Sequence, residues 1–164
     1  SNRDIAIKSG VPVELADHFS RHVEANIELE CFLCLDQSFP DVENVLGHLS
    51  SLYSCRLVSM RQDYSALRKQ IKWLGLDRFF DHILRVPRKG SGHLTPKAVA
   101  IGNFLPTSCD IIVGDSEMEI QTAVQLNILS CAITTGIRSR ERLQSKSPSY
   151  IIDSLAALKD IIKS

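Results

Sequence analysis

The spacing of apolar residues changes partway along this chain. After Pro12 come Leu15, Phe19, Val23, Ile27 and Cys31, each four residues beyond the last, which marks one stripe of a helix rather than a strand. Residues 3–35 are accordingly predicted to be helical. Asp36, Gln37, Ser38 and Pro40 interrupt the pattern, and Asp41 can open a fresh helix carrying Val42, Val45, Leu46 and Leu49. From there short apolar runs alternate with helical stretches. Cys55–Met60, His82–Val86, Asp110–Val113, Leu129–Ile133 and Tyr150–Ile152 predict strands, and 64–74, 95–104, 117–127, 138–144 and 153–163 predict helices. Such alternation predicts an α/β fold, a Rossmann-like parallel sheet with helices on both faces. The near-continuous apolar run Ile111-Ile112-Val113 suits a strand covered on both sides. The chain thus divides into a helical segment over residues 1–38 and an α/β core over 39–164, with no internal repeat or low-complexity stretch.

Composition narrows the classes of partner. A chain of 164 residues suits one domain with a substantial core. Lys plus Arg and Asp plus Glu number 19 each, so no net field draws the protein to nucleic acid or to an anionic membrane. No apolar run approaches bilayer length and the start lacks a signal-peptide layout, so a soluble, cytoplasmic protein is expected. Ser1-Asn2 reads as the remnant of a cleaved expression tag. The cysteines, Cys31, Cys34, Cys55, Cys109 and Cys131, are odd in number and lie in apolar surroundings, as reduced core thiols do. His18 and His22 with Cys31 and Cys34 have the residue types of a zinc site. Along one helix, however, the two pairs stand about 15 Å apart, too far for a single ion.

Candidate chemistry concentrates in Cys109–Ile120, where an apolar run meets Gly114 and then delivers Asp115 and Glu119 at the start of a helix. Ligands of open α/β sheets bind outside the carboxyl ends of the strands. Two carboxylates four apart there can lean toward one cavity, and oxygen ligands suit Mg2+ better than Zn2+. Equally, Asp115 can be a helix cap and Glu119 a solvated acid. Ser59 closes the first strand, where its hydroxyl can donate to an anion or merely serve a turn. Lys97 follows Thr95-Pro96 at a helix start, a place where a cation opposes the dipole; a nearby anion would account for it, as would a flexible surface lysine. Gly90-Ser91-Gly92-His93 lacks the remainder of a phosphate-loop signature and reads as a linker.

Taken in order, Ser59, Lys97, Gly114-Asp115 and Glu119 resemble the motifs of the haloacid dehalogenase-like (HAD) superfamily of phosphohydrolases, most of all its phosphoglycolate phosphatase-like branch. Phe39–Leu46 is similar to the helix before that family's second motif, and Leu57-Val58-Ser59 to the strand ending in Ser or Thr. Leu94-Thr95-Pro96-Lys97 resembles the lysine motif, and Ile112–Ile120 the acidic fourth motif. The resemblance spans about residues 39–160 and implies that residues 3–35 are the trailing part of a helical cap. It implies that Ser59 hydrogen-bonds a phosphoryl group and that Lys97 neutralises charge there. Asp115 would bind Mg2+ with Glu119 in support, around a small phosphorylated metabolite. Arg61, His93 and Arg138 are candidates for substrate contact, with solvated surface charge as their alternative. Metal and lysine charge around transferring oxygens is what phosphoryl transfer requires.

The sequence departs from the family at one decisive place: it contains no Asp-x-Asp pair, the family's nucleophile and general acid. Met60 stands where Asn is usual, and Glu119 where Asp is commoner. In the family the strand bearing that pair lies between the strand ending at Ser59 and the one ending at Gly114, so its absence predicts two half-sheets with raw inner edges. A truncated chain is expected, with the strand lying upstream in a longer protein. Direct closure of the two edges, or a strand donated by another chain or a homodimer partner, are the alternatives. Two functions follow: the bulk of a Mg2+-dependent phosphatase core, inactive as it stands, or a non-catalytic binding or assembly module that keeps the fold. A receiver-type domain would also need an acidic cluster at the first strand, and that is missing too.

Overall fold

The computed structural model describes residues 2–87 and 93–162; the Gly90–Gly92 stretch weighed as a phosphate loop lies outside them. Two compact units emerge. One comprises the described residues up to Ser38 together with Arg61–Asp77, the other Phe39–Met60 together with the described residues from Arg78 onward.

The first unit is helical. It holds α1 (Asn2–Lys8), α2 (Val13–Asn26), α3 (Glu30–Leu33) and α5 (Tyr64–Trp73). Helix α5 starts where Asp63 accepts the Ala66 N–H at 3.0 Å, a side-chain cap of the usual kind. Its entry is fixed by Glu28, whose carboxylate receives the N–H groups of Gln62 (2.9 Å) and Asp63 (2.7 Å). Asp36 receives Arg61 at 3.3 Å and the Gln70 amide. The stripe read from the sequence does not form the core of α2: Ala16 is fully buried, whereas Leu15, Phe19 and Ile27 are exposed. Cys31 and Cys34 are exposed thiols.

The second unit carries the strands. In chain order these are α4 (Val42–Ser50), β1 (Arg56–Ser59), β2 (His82–Arg85), α6 (Pro96–Gly102), β3 (Ile111–Gly114), α7 (Glu117–Leu126), β4 (Leu129–Ile133), α8 (Arg140–Gln144), β5 (Tyr150–Ile152) and α9 (Leu158–Ile162). All pairings are parallel, as the alternation predicts. Strand β1 pairs with β2, Ser59 opposite Arg85; β3 pairs with β4, Gly114 opposite Ala132; and β4 pairs with β5. Helices cover both faces of the β3–β4–β5 sheet. Cys131 and Ile152 pack with Val45, Leu49 and Leu158 on one side, while Ala132 packs with Ile120 and Leu143 on the other. That is the period-two alternation of strand side chains.

Among the described residues no ladder joins β1 to β3, so the strands form one two-stranded and one three-stranded sheet. Burial follows the pairing. In β4, paired on both sides, Ser130, Cys131 and Ala132 are buried, whereas all four residues of β3 are only half-buried. A cavity of about 560 Å³ opens at the amino ends of the strands, lined by Cys55 just before β1 and by Cys109, Asp110 and Ile111 at the entry to β3. No helix among the described residues is long and apolar enough to cross a membrane.

Candidate functional site

Strand β3 ends at Gly114, and the following turn presents Asp115 at its carboxyl end. Helix α7 begins two residues later, at Glu117. Ser116 is its N-cap, and Ser116 with Glu119 forms a reciprocal capping box. The Ser-x-x-Glu spacing of such a box is visible in the sequence, and it reassigns both acids: Asp115 is not the cap and Glu119 is not a surface acid. Glu119 is buried. Its Oε2 accepts from the Ser116 N–H at 3.1 Å and from the Ser116 hydroxyl at 2.5 Å, and its Oε1 accepts from Lys97 Nζ. Burial pushes the Glu119 carboxyl up, but the Lys97 charge and the bonds from Lys97 and Ser116 more than offset this and hold it below the usual range. Gly114 is required by this packing, because a Cβ there would come under 3.0 Å from Glu119 Cγ and Cδ.

Lys97 reaches Glu119 because α6 is suspended from α7. Thr95 caps α6, accepting the Ala98 N–H at 3.1 Å, and its hydroxyl pairs with that of fully buried Thr122 at 2.7 Å. Gln125 accepts the Thr95 N–H at 2.8 Å and donates to the His93 carbonyl at 2.9 Å. Glu119, Thr122 and Gln125 follow one another at intervals of three, one face of a helix; that spacing was the available signal for Thr122 and Gln125. Replacing Thr122 with valine keeps the shape and removes the hydroxyl. It is expected to destabilise the protein by about 1 kcal/mol, the net worth of a typical hydrogen bond, which thermal unfolding would measure; no loss would mean that the Thr95–Thr122 bond contributes nothing.

Asp115 is half-buried. Its Oδ2 accepts the Ile137 N–H at 3.2 Å, and Oδ1 accepts no hydrogen bond among the described residues. The segment after β4 wraps this side chain: a Cβ on Gly136 would overlap it. Nothing in the sequence pattern marks Gly136 for that contact. Glu117 receives Arg138 Nε at 2.9 Å and also Arg142 Nε, which hold its carboxyl down at about 2. Arg138 is therefore engaged by Glu117, as Arg61 is by Asp36 in the helical unit. Ser59 ends β1, its carbonyl accepting the Val86 N–H at 2.8 Å. Of the residues singled out in the sequence, Lys97 and Glu119 are brought into contact, with Asp115 at the mouth of the same helix.

No group of three His, Cys, Asp or Glu side chains able to cage a metal forms among the described residues. Asp115 offers one carboxylate. Mg2+ commonly keeps several waters and is held through one or two carboxylates and substrate phosphate. The donor set fits a shared ion of that kind, not a dedicated cage.

No protein-family profile and no curated protein sequence matches the chain. Solved structures do. A haloacid dehalogenase-like family hydrolase from Streptococcus pneumoniae superposes with a TM-score of 0.72 at 22% identity, covering 98% of this chain and 76% of that one. A protein from Lactobacillus delbrueckii subsp. bulgaricus assigned as a phosphoglycolate phosphatase gives 0.69 at 20%, covering 98% and 76%. A Bacillus subtilis protein assigned as a HAD-hydrolase, solved with magnesium bound, gives 0.63 at 17%, covering 92% and 62%. Identities this low speak to architecture alone, and in architecture this chain has the fold of the haloacid dehalogenase-like hydrolases.

Proposed function

We propose that this chain forms most of the core of a Mg2+-dependent phosphohydrolase acting on a small phosphorylated metabolite, and that as it stands it binds without turning over. The observation that carries this reading is the network of Lys97 and Ser116 around buried Glu119, beside Asp115 at the carboxyl end of β3. In it Asp115 is the metal ligand, through Oδ1. Lys97 supplies positive charge to the phosphoryl oxygens, and Ser59 a hydroxyl donor. Both oxygens of Glu119 are occupied, so it serves the site by holding Lys97 rather than by ligating the ion. Mg2+ supplies electrostatic stabilisation of transferring phosphate oxygens. Bond cleavage would still need a nucleophile, and no Asp-x-Asp is present.

The edge of β3 that is unpaired among the described residues favours the second reading, a non-catalytic binding or assembly module. An apolar edge strand is a template for pairing, and a strand donated between β1 and β3, by other protein or by a second copy, would cover it. Five unpaired thiols accord with a cytoplasmic setting.

The test is hydrolysis of a generic phosphate monoester by the purified chain with Mg2+ or EDTA, beside Asp115→Asn. No turnover is expected from either protein. Metal-dependent turnover that Asp115→Asn removes would overturn the claim that a nucleophile is lacking while upholding the site; metal-dependent turnover untouched by Asp115→Asn would sink the site.

A further inference from the structure

We propose that Glu117 is a positioning residue for the acid loop: it clamps the Gly136–Arg138 segment against Asp115, fixing Oδ2 and leaving Oδ1 aimed at a divalent cation. This inference rests on the reading of Asp115 as a metal ligand.

The segment's own packing cannot hold it there. Ile137, which gives its N–H to Asp115, is itself 75% exposed, and Gly136 before it is also exposed. Polar contacts must then fix the backbone, and they are arranged in pairs. At the outer end Asp153 receives Thr134 Oγ1 at 2.7 Å and Arg140 Nη1 at 2.8 Å, and the Thr134 N–H reaches the Ile152 carbonyl at 3.0 Å. At the inner end Glu117 uses both oxygens, one for Arg138, the residue after Ile137, and one for Arg142 in α8. Glu117 opens α7 immediately after the Ser116 cap, so it shares a rigid base with Asp115 and measures the segment's distance from it. A carboxylate with one oxygen pinned loses its rotation about the Cβ–Cγ bond, and the other oxygen points one way. Partners of ligands that act in this manner typically contribute 10–100-fold to metal affinity.

The experiment titrates Mn2+ into the full chain, followed by water-proton relaxation, with hydrogen exchange at the Ile137 amide read by NMR on the same samples. Wild type is compared with Glu117→Gln, Arg138→Met and Asp115→Asn. Arg138→Met leaves the Glu117–Arg142 pair intact, which guards against a result caused by loss of α8. Asp115→Asn is expected to abolish binding. Both clamp variants are expected to weaken it by about tenfold or more and to speed exchange at Ile137. Binding equal to wild type in both variants would overturn the clamp alone. Weaker binding with unchanged Ile137 exchange would also overturn it, since Glu117 would then act through its charge. Wild type binding no better than Asp115→Asn would sink the metal reading, and the clamp with it.

Discussion

Glu119→Ala should destabilise the protein by about 3–5 kcal/mol, the cost of leaving one member of a buried ion pair alone. For a domain of this size the thermal midpoint should fall by on the order of 10 °C. The reasoning turns on burial. The side chains of Lys97 and Glu119 are 14% and 7% exposed, so neither is well hydrated when its partner is removed. Removing Glu119 also opens the capping box, but a lost cap costs typically about 1 kcal/mol and cannot by itself account for the larger figure. Ser116→Ala, which removes the cap hydroxyl and keeps the ion pair, isolates that smaller part. The double variant Lys97→Met/Glu119→Leu should recover much of the loss, because replacing both partners of a buried pair by apolar groups is often close to neutral. Denaturant unfolding of the four proteins checks the set. If Glu119→Ala cost no more than Ser116→Ala, the contact would be a cap with a lysine nearby rather than a buried pair. The pair also fixes where the lysine charge is held, so the same variant should loosen any anion bound through Lys97.

Most of the α/β architecture was legible because it depends on local signals. Strands β4 and β5 occur where the sequence places them, and β1, β2 and β3 within one residue at each end, since apolar runs bounded by turn residues are hard to read otherwise. The separate half-sheets were legible for another reason: the family resemblance expects a further strand between β1 and β3, and among the described residues those two are not joined. Less of the site could be read. The candidate acids could be read, but their partners depend on which helix faces which. Spacing alone left Glu119 either a ligand or a solvated acid; α6 packing on α7 through Thr95, Thr122 and Gln125 instead makes it the buried partner of Lys97. The exposed stripe of α2 is the converse case. Leu15 and Phe19 mark a helix correctly by period, yet period says only that a face is apolar, not that anything covers it.

Gly136→Ala should weaken Mn2+ binding by about tenfold or more, as the clamp variants do, while costing about 1–3 kcal/mol of stability, the usual range for overpacking. A Cβ on residue 136 would approach Oδ2, Cγ and Cβ of Asp115 closer than 3.0 Å. A long side chain could swing its far end away; Asp115 cannot, because its Cβ is one bond from the backbone and that backbone continues directly from β3. Either the 136–138 segment moves outward or Asp115 turns, and both break the Ile137 N–H bond that fixes Oδ2. The segment is exposed, so outward movement is the cheaper response. The stability loss should therefore fall toward the lower end of its range, with most of the damage appearing at the metal. Gly47→Ala is the control. Its Cβ would meet Phe79 at an ordinary 3.6 Å within α4, where alanine is favoured over glycine by roughly 0.5–1 kcal/mol, so it should be neutral or stabilising and leave Mn2+ binding unchanged. Wild-type Mn2+ affinity in Gly136→Ala would mean that the carboxylate tolerates displacement, and Asp115 would then owe nothing to the close approach of this loop.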